Sequence, residues 1–326
     1  MEGVEIVGIA DLDTRRARRL AKRFGIGNVY NDHLHLLEQE LDFVVLCTPT
    51  GLHARMIVDC CLHGKHVLIE KPLAHDVQGA LEAIRASKQQ GVKICVVQNY
   101  RYYPAVRRAR NLIDSGRLGK MLSMIGVAHT PSPMGWTSSD WLYKGGGVLD
   151  DFGPHMYDFL AWFAGAQPRV VFASGSDATC GMQLINYAHI GIQFANKVNG
   201  AADLSWLSGS RLLSMDVFGT GGRLRMDINM DSFDEVHGIA DPISQLTGSW
   251  RRAFHSLKEA AFGRLLIGGT AYYDQVYRDF IRYVEGSAPA PVSISDSLRA
   301  VQIMDYARLS ISQDRAVIVP PLEDQI

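Results

Sequence analysis

The chain has 326 residues, of which 47% are hydrophobic and 21% are charged, and its formal net charge at pH 7 is −1. This length allows two domains with cores of ordinary size, and the composition is typical of a globular protein. The near-zero charge gives no bulk attraction to nucleic acid, and no apolar run approaches the roughly 20 residues that span a bilayer. We therefore expect no nucleic-acid partner and no integral membrane segment.

The first residues and the cysteines favour a cytoplasmic protein. Residues 1–5 contain no basic segment followed by an apolar one, so we predict no signal peptide. The cysteines form no CxxC pair and no even disulfide framework, which indicates reduced thiols and no metal site built from them. They are Cys47, Cys60, Cys61, Cys95 and Cys180.

Strand and helix signals alternate along the first 98 residues. Apolar runs at residues 4–10, 43–47, 67–69 and 94–97 predict strands, and residues 14–24, 53–63 and 77–90 predict helices that end at glycines. Continuous apolar strands that alternate with helices favour a parallel sheet covered on both faces. We therefore predict a Rossmann-like α/β domain over residues 1–98.

The unit that normally begins such a domain is missing from the sequence. Dinucleotide-binding sheets start with a strand, a GxGxxG turn and a helix that holds the pyrophosphate. Here residues 4–10 look like the second strand, and Gly25 and Gly27 follow a helix, which indicates a helix stop. Two explanations remain open: either the start codon was assigned too late and about 25 to 30 residues are missing, or the protein has lost the unit.

The pattern changes after Gln98. Residues 104–115 predict a helix, and alternating runs at 121–128, 169–176, 191–194, 198–206, 212–218 and 223–228 predict strands with one covered face. Residues 271–285 and 295–312 predict closing helices. We therefore expect a second domain over residues 99–326, of the α+β class, with a mostly antiparallel open-faced sheet.

Residues 66–72, His-Val-Leu-Ile-Glu-Lys-Pro, are the most informative stretch. The carboxyl ends of parallel strands face the ligand crevice of an α/β sheet, so Lys71 would stand at that crevice. A buried lysine can have its pKa lowered and act as an acid or base. The alternative is an ordinary strand end that carries a solvated lysine.

Five motifs in the same order resemble the glucose–fructose oxidoreductase / inositol dehydrogenase (Gfo/Idh/MocA) family, from about residue 4 to at least residue 230. They are residues 10–11, 47–53, 64–72, 99–104 and 145–155. The resemblance implies that Lys71 is catalytic, that its bond to Pro72 is often cis, and that Asp151 and His155 complete the catalytic group. It also implies dimers or tetramers that form through the open-faced sheet.

Members of this family generally move a hydride between a bound nicotinamide and a carbon of a sugar, a sugar derivative or a cyclic polyol. Oxidation of an alcohol also requires the hydroxyl proton to leave, and we expect His155 to be the base and Lys71 to polarise the oxygen, although the two roles could be exchanged. Asp151 would orient His155 without reacting. The alternative is a capped helix with an ordinary core histidine, and Asp158 is expected to be structural.

The cofactor side of the site is predicted from strand ends. Thr48 and Pro49 would line the nicotinamide, His53 at the start of the next helix is also predicted to bind the cofactor, and Glu70 would contact the ribose of the nicotinamide half. The alternative for the first three is a plain β-to-α turn. Asn99 follows the next strand, at the domain junction, where it would meet either the cofactor or the substrate.

The sequence leaves two interpretations open for Arg101, at the domain junction, and for Asp11, at the adenosine end of the cofactor site. Arg101 would form either a salt link between the domains or a ligand contact. Asp11 would accept hydrogen bonds from the adenosine ribose and favours NAD over NADP, because a carboxylate repels a 2′-phosphate. Arg15 and Arg16 could accommodate that phosphate instead, and a solvated strand-end carboxylate is the other interpretation of Asp11.

Three functions therefore remain open from the sequence. The first is an NAD(P)-dependent oxidoreductase acting on CH–OH groups. The second is a glycoside-cleaving enzyme that keeps NAD bound and oxidises the sugar transiently, and the third is a non-catalytic binding protein without a pyrophosphate site. Residues 249–266 form a basic amphipathic pattern that fits either a packed or subunit-interface helix or a membrane-surface helix. Trp136 and Trp141 would either stack on a sugar or plug a core.

Overall fold

The computed structural model describes residues 3–131, 147–177, 184–229, 231–237 and 271–321. Within these ranges, parallel sheets in the first 98 residues are followed by one eight-stranded, mostly antiparallel sheet, which confirms the predicted fold class. No helix in the described ranges combines the length and apolar character needed to cross a membrane. The expectations that fall outside these ranges concern Trp136, Trp141, Gly145, Gly146, Cys180 and the segment 249–266.

The first part of the chain forms two parallel sheets that are not hydrogen-bonded to each other. Strand β1 pairs with β2, and β3, β4 and β5 form the other sheet in that order. The elements are β1 Gly8–Ala10, α1 Thr14–Phe24, β2 Asn28–Tyr30, α2 His33–Leu37, β3 Phe43–Leu46, α3 His53–Leu62, β4 His66–Glu70, α4 Val77–Gln90 and β5 Ile94–Val97.

Strand β1 is shorter than the sequence predicts. The apolar run begins at Val4, but pairing begins only at Gly8, and Ile6 is 59% exposed. Residues 4–7 have no strand partner within the described ranges, so the apolar pattern alone does not make them a strand. The structure also contains β2 and α2, which are too short to give a clear periodic signal.

Side-chain caps set the limits of the first helix. The Asp13 carboxylate accepts hydrogen bonds from the backbone amides of Arg15 and Arg16, and Gly25 ends the helix in the left-handed conformation at φ 69°. A residue with a β-carbon is strained there, which is why glycine is common at this position. The interpretation of Gly25 as a helix stop is therefore confirmed.

The second part is built on the eight-stranded sheet, in the order β12-β11-β10-β6-β9-β8-β7-β13. Only β6 and β9 pair in parallel; the other pairs are antiparallel. The elements are α5 Pro104–Asp114, β6 Met121–His129, α6 Val148–Asp151, α7 Gly153–Ala164, β7 Pro168–Ser176, β8 Tyr187–Phe194, β9 Asn199–Ser205, β10 Leu212–Gly219, β11 Gly222–Asp227, β12 Ser232–His237, α8 Ala271–Val284, α9 Ile294–Gln313 and β13 Val317–Ile318.

One face of this sheet is covered by helices and the other is open. Helix α7 packs on β6 and β9, and α9 packs on β7, on α7 and on α4 of the first part. On the open face, Ile125 and Phe172 are 47 and 48% exposed. The buried core runs continuously from the parallel strands to the covered face, so α9 fixes the two parts against each other.

Candidate active site

Lys71 follows directly after β4, and its peptide bond to Pro72 is cis, as the family resemblance implied. The Lys71 ammonium donates to the backbone oxygen of Asp151 at 2.6 Å and to its carboxylate Oδ1 at 3.2 Å. The two side chains are only 17% and 22% exposed. An amine from the first part and an acid from the second part therefore meet at the carboxyl end of a parallel strand.

His155 lies in the first turn of α7, where its ring stacks on Tyr100 with 4.3 Å between the ring centroids. The imidazole is partly buried, and its Nδ1 is buried without a hydrogen-bond partner among the described residues. Burial lowers the pKa of His155 well below its usual value, and the positive charges of Lys71 and Arg211 lower it further. The imidazole is therefore neutral near pH 7 and able to accept a proton.

Asp151 does not orient His155 as the sequence suggested. Its carboxylate binds Lys71, and the helix breaks at Phe152, which separates α6 from α7. Because Asp151 and His155 belong to different helices, the usual contact between residues four apart in one helix is not available to them. The break also makes Phe152 the N-cap of α7.

A second ionic contact holds the same junction. Arg308 of α9 pairs with the carboxylate of Asp150 and donates to the backbone oxygen of His75 at 2.7 Å. Asp150 precedes Asp151, and His75 lies four residues after Lys71. The segment that carries the lysine is therefore tied on both sides to the turn that carries the two acids.

Thr48, Pro49 and His53 lie at the carboxyl end of β3. The ring nitrogens of the buried His53 lie 2.7 Å from the backbone oxygen of Pro72 and 2.8 Å from that of Thr48. His53 thus lies between the loops that follow β3 and β4. Pro49 is exposed, and the Thr48 Oγ1 is buried without a partner in the described chain.

Glu70 and Asn99 lie at the ends of the two neighbouring strands. Glu70 ends β4, accepts a hydrogen bond from the Lys71 amide at 3.3 Å and bonds to Tyr273 of α8. Burial raises the pKa of Glu70, although the Lys71 charge opposes this. Asn99 is buried in a short 3-10 turn that follows β5. The ends of β3, β4 and β5 thus share one edge, where α/β sheets bind ligands.

Asp11 lies apart from this cluster, after β1 of the other parallel sheet. Its carboxylate accepts the amide of Asp13 at 2.8 Å and both Nε and Nη2 of Arg16, at 3.0 and 2.7 Å. Asp11, which would favour NAD, and Arg16, which could accommodate the phosphate of NADP, therefore form one ion pair. Their hydrogen bonds do not extend to Lys71 or His155.

Arg101 forms the salt link that the sequence left open. Its guanidinium makes a bidentate contact with the buried Asp158 of α7, at 2.7 and 2.8 Å, and also reaches Asp296 of α9. The face of Trp162 lies 4.4 Å from the guanidinium carbon. Asp158 is thus engaged by Arg101 and, as expected, is structural.

The residues at the sheet edge fit a nicotinamide cofactor. Thr48 Oγ1 and His155 Nδ1 are buried polar atoms without partners among the described residues, and such atoms normally require one. A carboxamide or a substrate hydroxyl could supply these bonds. No cluster of three or more histidines, cysteines or acids suited to a metal ion is found within the described ranges.

Three site residues were not singled out from the sequence. Tyr100 stacks on His155, and its hydroxyl accepts a bond from Arg211 at 3.4 Å. Tyr273 bonds to Glu70. Tyr100 lies in the Asn-Tyr-Arg-Tyr-Tyr-Pro motif and could have been suspected, whereas Arg211 and Tyr273 lie far from any motif.

The fold and the site define an NAD-binding oxidoreductase of the Rossmann type. The family model described as "Oxidoreductase family, NAD-binding Rossmann fold" matches residues 1–98, and that described as "GFO/IDH/MocA C-terminal domain" matches residues 106–225. The chain belongs to the Gfo/Idh/MocA family.

The chain is also similar to individual named proteins. The chain is 26% identical over 174 residues to oxidoreductase YrbE of Bacillus subtilis, a match covering 53% of this chain and only 50% of YrbE. It is 24% identical over 322 residues to myo-inositol 2-dehydrogenase of Thermotoga maritima, covering 96% and 90% of the two chains. The fold is similar to that of the WlbA dehydrogenase of Bordetella pertussis, solved with NADH and UDP-GlcNAcA, with a TM-score of 0.80, 18% identity and coverage of 97% and 90%.

Proposed function

We propose that the chain transfers a hydride between NAD and a CH–OH carbon of a sugar, a sugar derivative or a cyclic polyol. The observation that carries this proposal is the meeting of Lys71, from the Rossmann part, with Asp151 and the neutral His155 at the edge where parallel strands end. The inositol dehydrogenase relative and the WlbA neighbour, which was solved with a nucleotide sugar, support this substrate class.

A bound NAD would supply the hydride acceptor, or in the reverse direction the hydride donor, for the alcohol carbon. His155 takes the hydroxyl proton, because its lowered pKa keeps a ring nitrogen free to accept it. Lys71 donates a hydrogen bond to the same oxygen and stabilises the charge that develops there. Asp151 holds the Lys71 ammonium in place, so the acid acts on the lysine.

Thr48, Pro49, Glu70 and Asn99 would contact the nicotinamide half of the cofactor, in keeping with their positions at the ends of β3, β4 and β5. His53 holds the loops that carry Thr48 and Pro72.

We assign Asp11 to the adenosine ribose. The carboxylate favours NAD, and NADP would require Arg16 to leave Asp11 and pair with the 2′-phosphate. A comparison of NAD and NADP turnover tests this assignment.

The proposal includes the domain division, the location and the partners of the protein. The chain divides near residue 98 into a dinucleotide-binding domain and a domain for substrate binding and oligomerisation. The protein is cytoplasmic and has no nucleic-acid partner. The open sheet face, with Ile125 and Phe172 exposed, supports a homodimer or homotetramer formed through that face. Sedimentation velocity of the purified chain tests the assembly.

A substrate panel tests the proposed function. The purified protein, NAD and a set of sugars, nucleotide sugars and inositols are mixed, and NADH is followed by its absorbance band. We expect net NADH with at least one compound and binding of NAD in calorimetry. Cleavage of a glycoside without net NADH would favour the glycoside-cleaving alternative, and failure to bind NAD would overturn both enzyme proposals.

A further inference from the structure

Arg211 lies in the loop between β9 and β10 and reaches the rim of the proposed active site. Its side chain is exposed to solvent, and one of its terminal nitrogens donates to the Tyr100 hydroxyl at 3.4 Å. The Tyr100 ring in turn stacks on His155. The guanidinium therefore stands one tyrosine ring away from the proposed base.

The positive charge of Arg211 affects the pKa values of three side chains around this rim. It contributes to lowering the pKa of His155, and it opposes the rise in the pKa of Tyr100 and Tyr103 that burial causes. Together with the hydrogen bond to Tyr100, this places the guanidinium near the proposed base.

The other charges near the site already have partners. Lys71 is matched by Asp151, and Arg308 is matched by Asp150. Asp231, the acid that influences Tyr103, accepts the backbone amide of Ala105 at 2.9 Å.

Arg211, by contrast, makes no ion pair with any residue in the described ranges, and its long hydrogen bond to a neutral hydroxyl leaves most of its donors available to a ligand. A guanidinium presents five donors in a planar fork that suits carboxylate and phosphate.

We propose that Arg211 binds an anionic group of the substrate, a carboxylate or a phosphate, so that the enzyme acts on acidic sugars or acidic sugar derivatives. This inference rests on the proposed function. The anionic group and the oxidised alcohol belong to one molecule, because a single tyrosine separates Arg211 from His155. Tyr100 then lies beside both and sets the distance between them.

Matched sugar sets test the proposal, each made of a neutral hexose, its uronate and its 6-phosphate, in the gluco, galacto and manno series. The variants are Arg211→Gln and the control Arg169→Gln, which removes an exposed positive charge from β7. Two quantities are measured: the ratio of kcat/KM for the acid to that for the neutral hexose, and the Kd of the acid by calorimetry without NAD. The uronate and phosphate arms distinguish the two sources of negative charge.

We expect Arg211→Gln to lower the acid-to-neutral ratio about tenfold or more, mainly through KM, because a charge-assisted hydrogen bond is lost. Arg169→Gln should leave the ratio unchanged. An unchanged ratio in Arg211→Gln, or a preference of the unmodified enzyme for the neutral hexose, would overturn the proposal.

Calorimetry separates this inference from the proposed function. If no sugar yields NADH, the oxidoreductase proposal fails, and the Kd still decides the role of Arg211. Weaker binding of the acid to Arg211→Gln than to Arg169→Gln supports the assignment. Equal binding to the two variants, or no binding of any acid by the unmodified protein, contradicts it.

Discussion

At the scale of single residues, the site depends on the contacts of Lys71 and on the neutral state of His155. Asp151 supplies two oxygens to the Lys71 side-chain nitrogen, which fixes its position. His155 stays neutral because burial and two nearby cations disfavour a second proton on the ring. A protonated amine and a neutral imidazole are the pair that oxidation of an alcohol needs.

The lowered pKa of His155 predicts the acidic limb of the pH profile. The base form survives as the pH falls until the folded-state pKa is reached, so kcat/KM should begin to fall only well below the usual histidine value of 6.5. Arg211→Gln removes one nearby positive charge and should shift this limb upward, still below 6.5 because burial remains the larger cause. A profile of kcat/KM against pH with a neutral substrate measures the acidic limb in the unmodified enzyme and in Arg211→Gln. An acidic limb with its midpoint at or above pH 6.5 in the unmodified enzyme would contradict the assignment of His155 as the base.

The same site shows what the sequence predicts at this scale. Lys71, Asp151 and His155 come together as the motifs imply, because Lys71 follows β4, Asp151 ends α6 and His155 lies in the first turn of α7. The Asp151 carboxylate binds Lys71 and not His155, because the helix breaks at Phe152, just before the Gly153-Pro154 pair that begins α7. Arg211 escaped notice because only folding brings its loop to Tyr100.

At the scale of elements, the buried Arg101 network joins three of them. The turn after β5 carries Arg101, α7 carries Asp158, and α9 carries Asp296. All three side chains are largely buried, so each charge relies on the others in place of water. This network fixes the helix that presents His155 relative to the strand ends.

Removal of Arg101 should therefore destabilise the protein strongly. Arg101→Ala leaves the buried Asp158 carboxylate without its cation, whereas Asp296 keeps its contact with Arg299, and we expect a loss of about 3–5 kcal/mol in the free energy of unfolding. The comparison is Arg282→Ala, which breaks an exposed pair with Asp279 on α8 and should cost about 1 kcal/mol or less. Urea denaturation measures both, and equal losses in the two variants would show that the buried network is not needed.

Some helices and strands can be predicted from the sequence more clearly than others. Helices α1, α4 and α9 have strong periodicity or caps, and most strands of the large sheet alternate buried and exposed positions. Strand β2 has only three residues and α2 only five, which is too short for a period to show. Strand β13 has two residues and is defined by its pairing with β7.

At the scale of the whole molecule, the site lies where the two parts of the chain meet. The parallel strands supply Thr48, Glu70 and Lys71, and the part that carries the large sheet supplies Asp151, His155 and Arg211. Helix α9 packs on both parts and contributes Arg308 to the junction. A change in the angle between the parts would therefore separate the amine from the imidazole.

The central claim is that Lys71 and His155 act on one alcohol, and a double-mutant cycle tests it most directly. The rate of hydride transfer is measured in Lys71→Met, in His155→Gln, in the double variant and in the control Lys88→Met on the exposed side of α4. We expect each single substitution at the site to lower kcat about a hundredfold or more and the double variant to fall well short of the product of the two losses, because groups that act as a unit are not additive. Normal turnover in both single variants, or losses that multiply in full, would contradict the account.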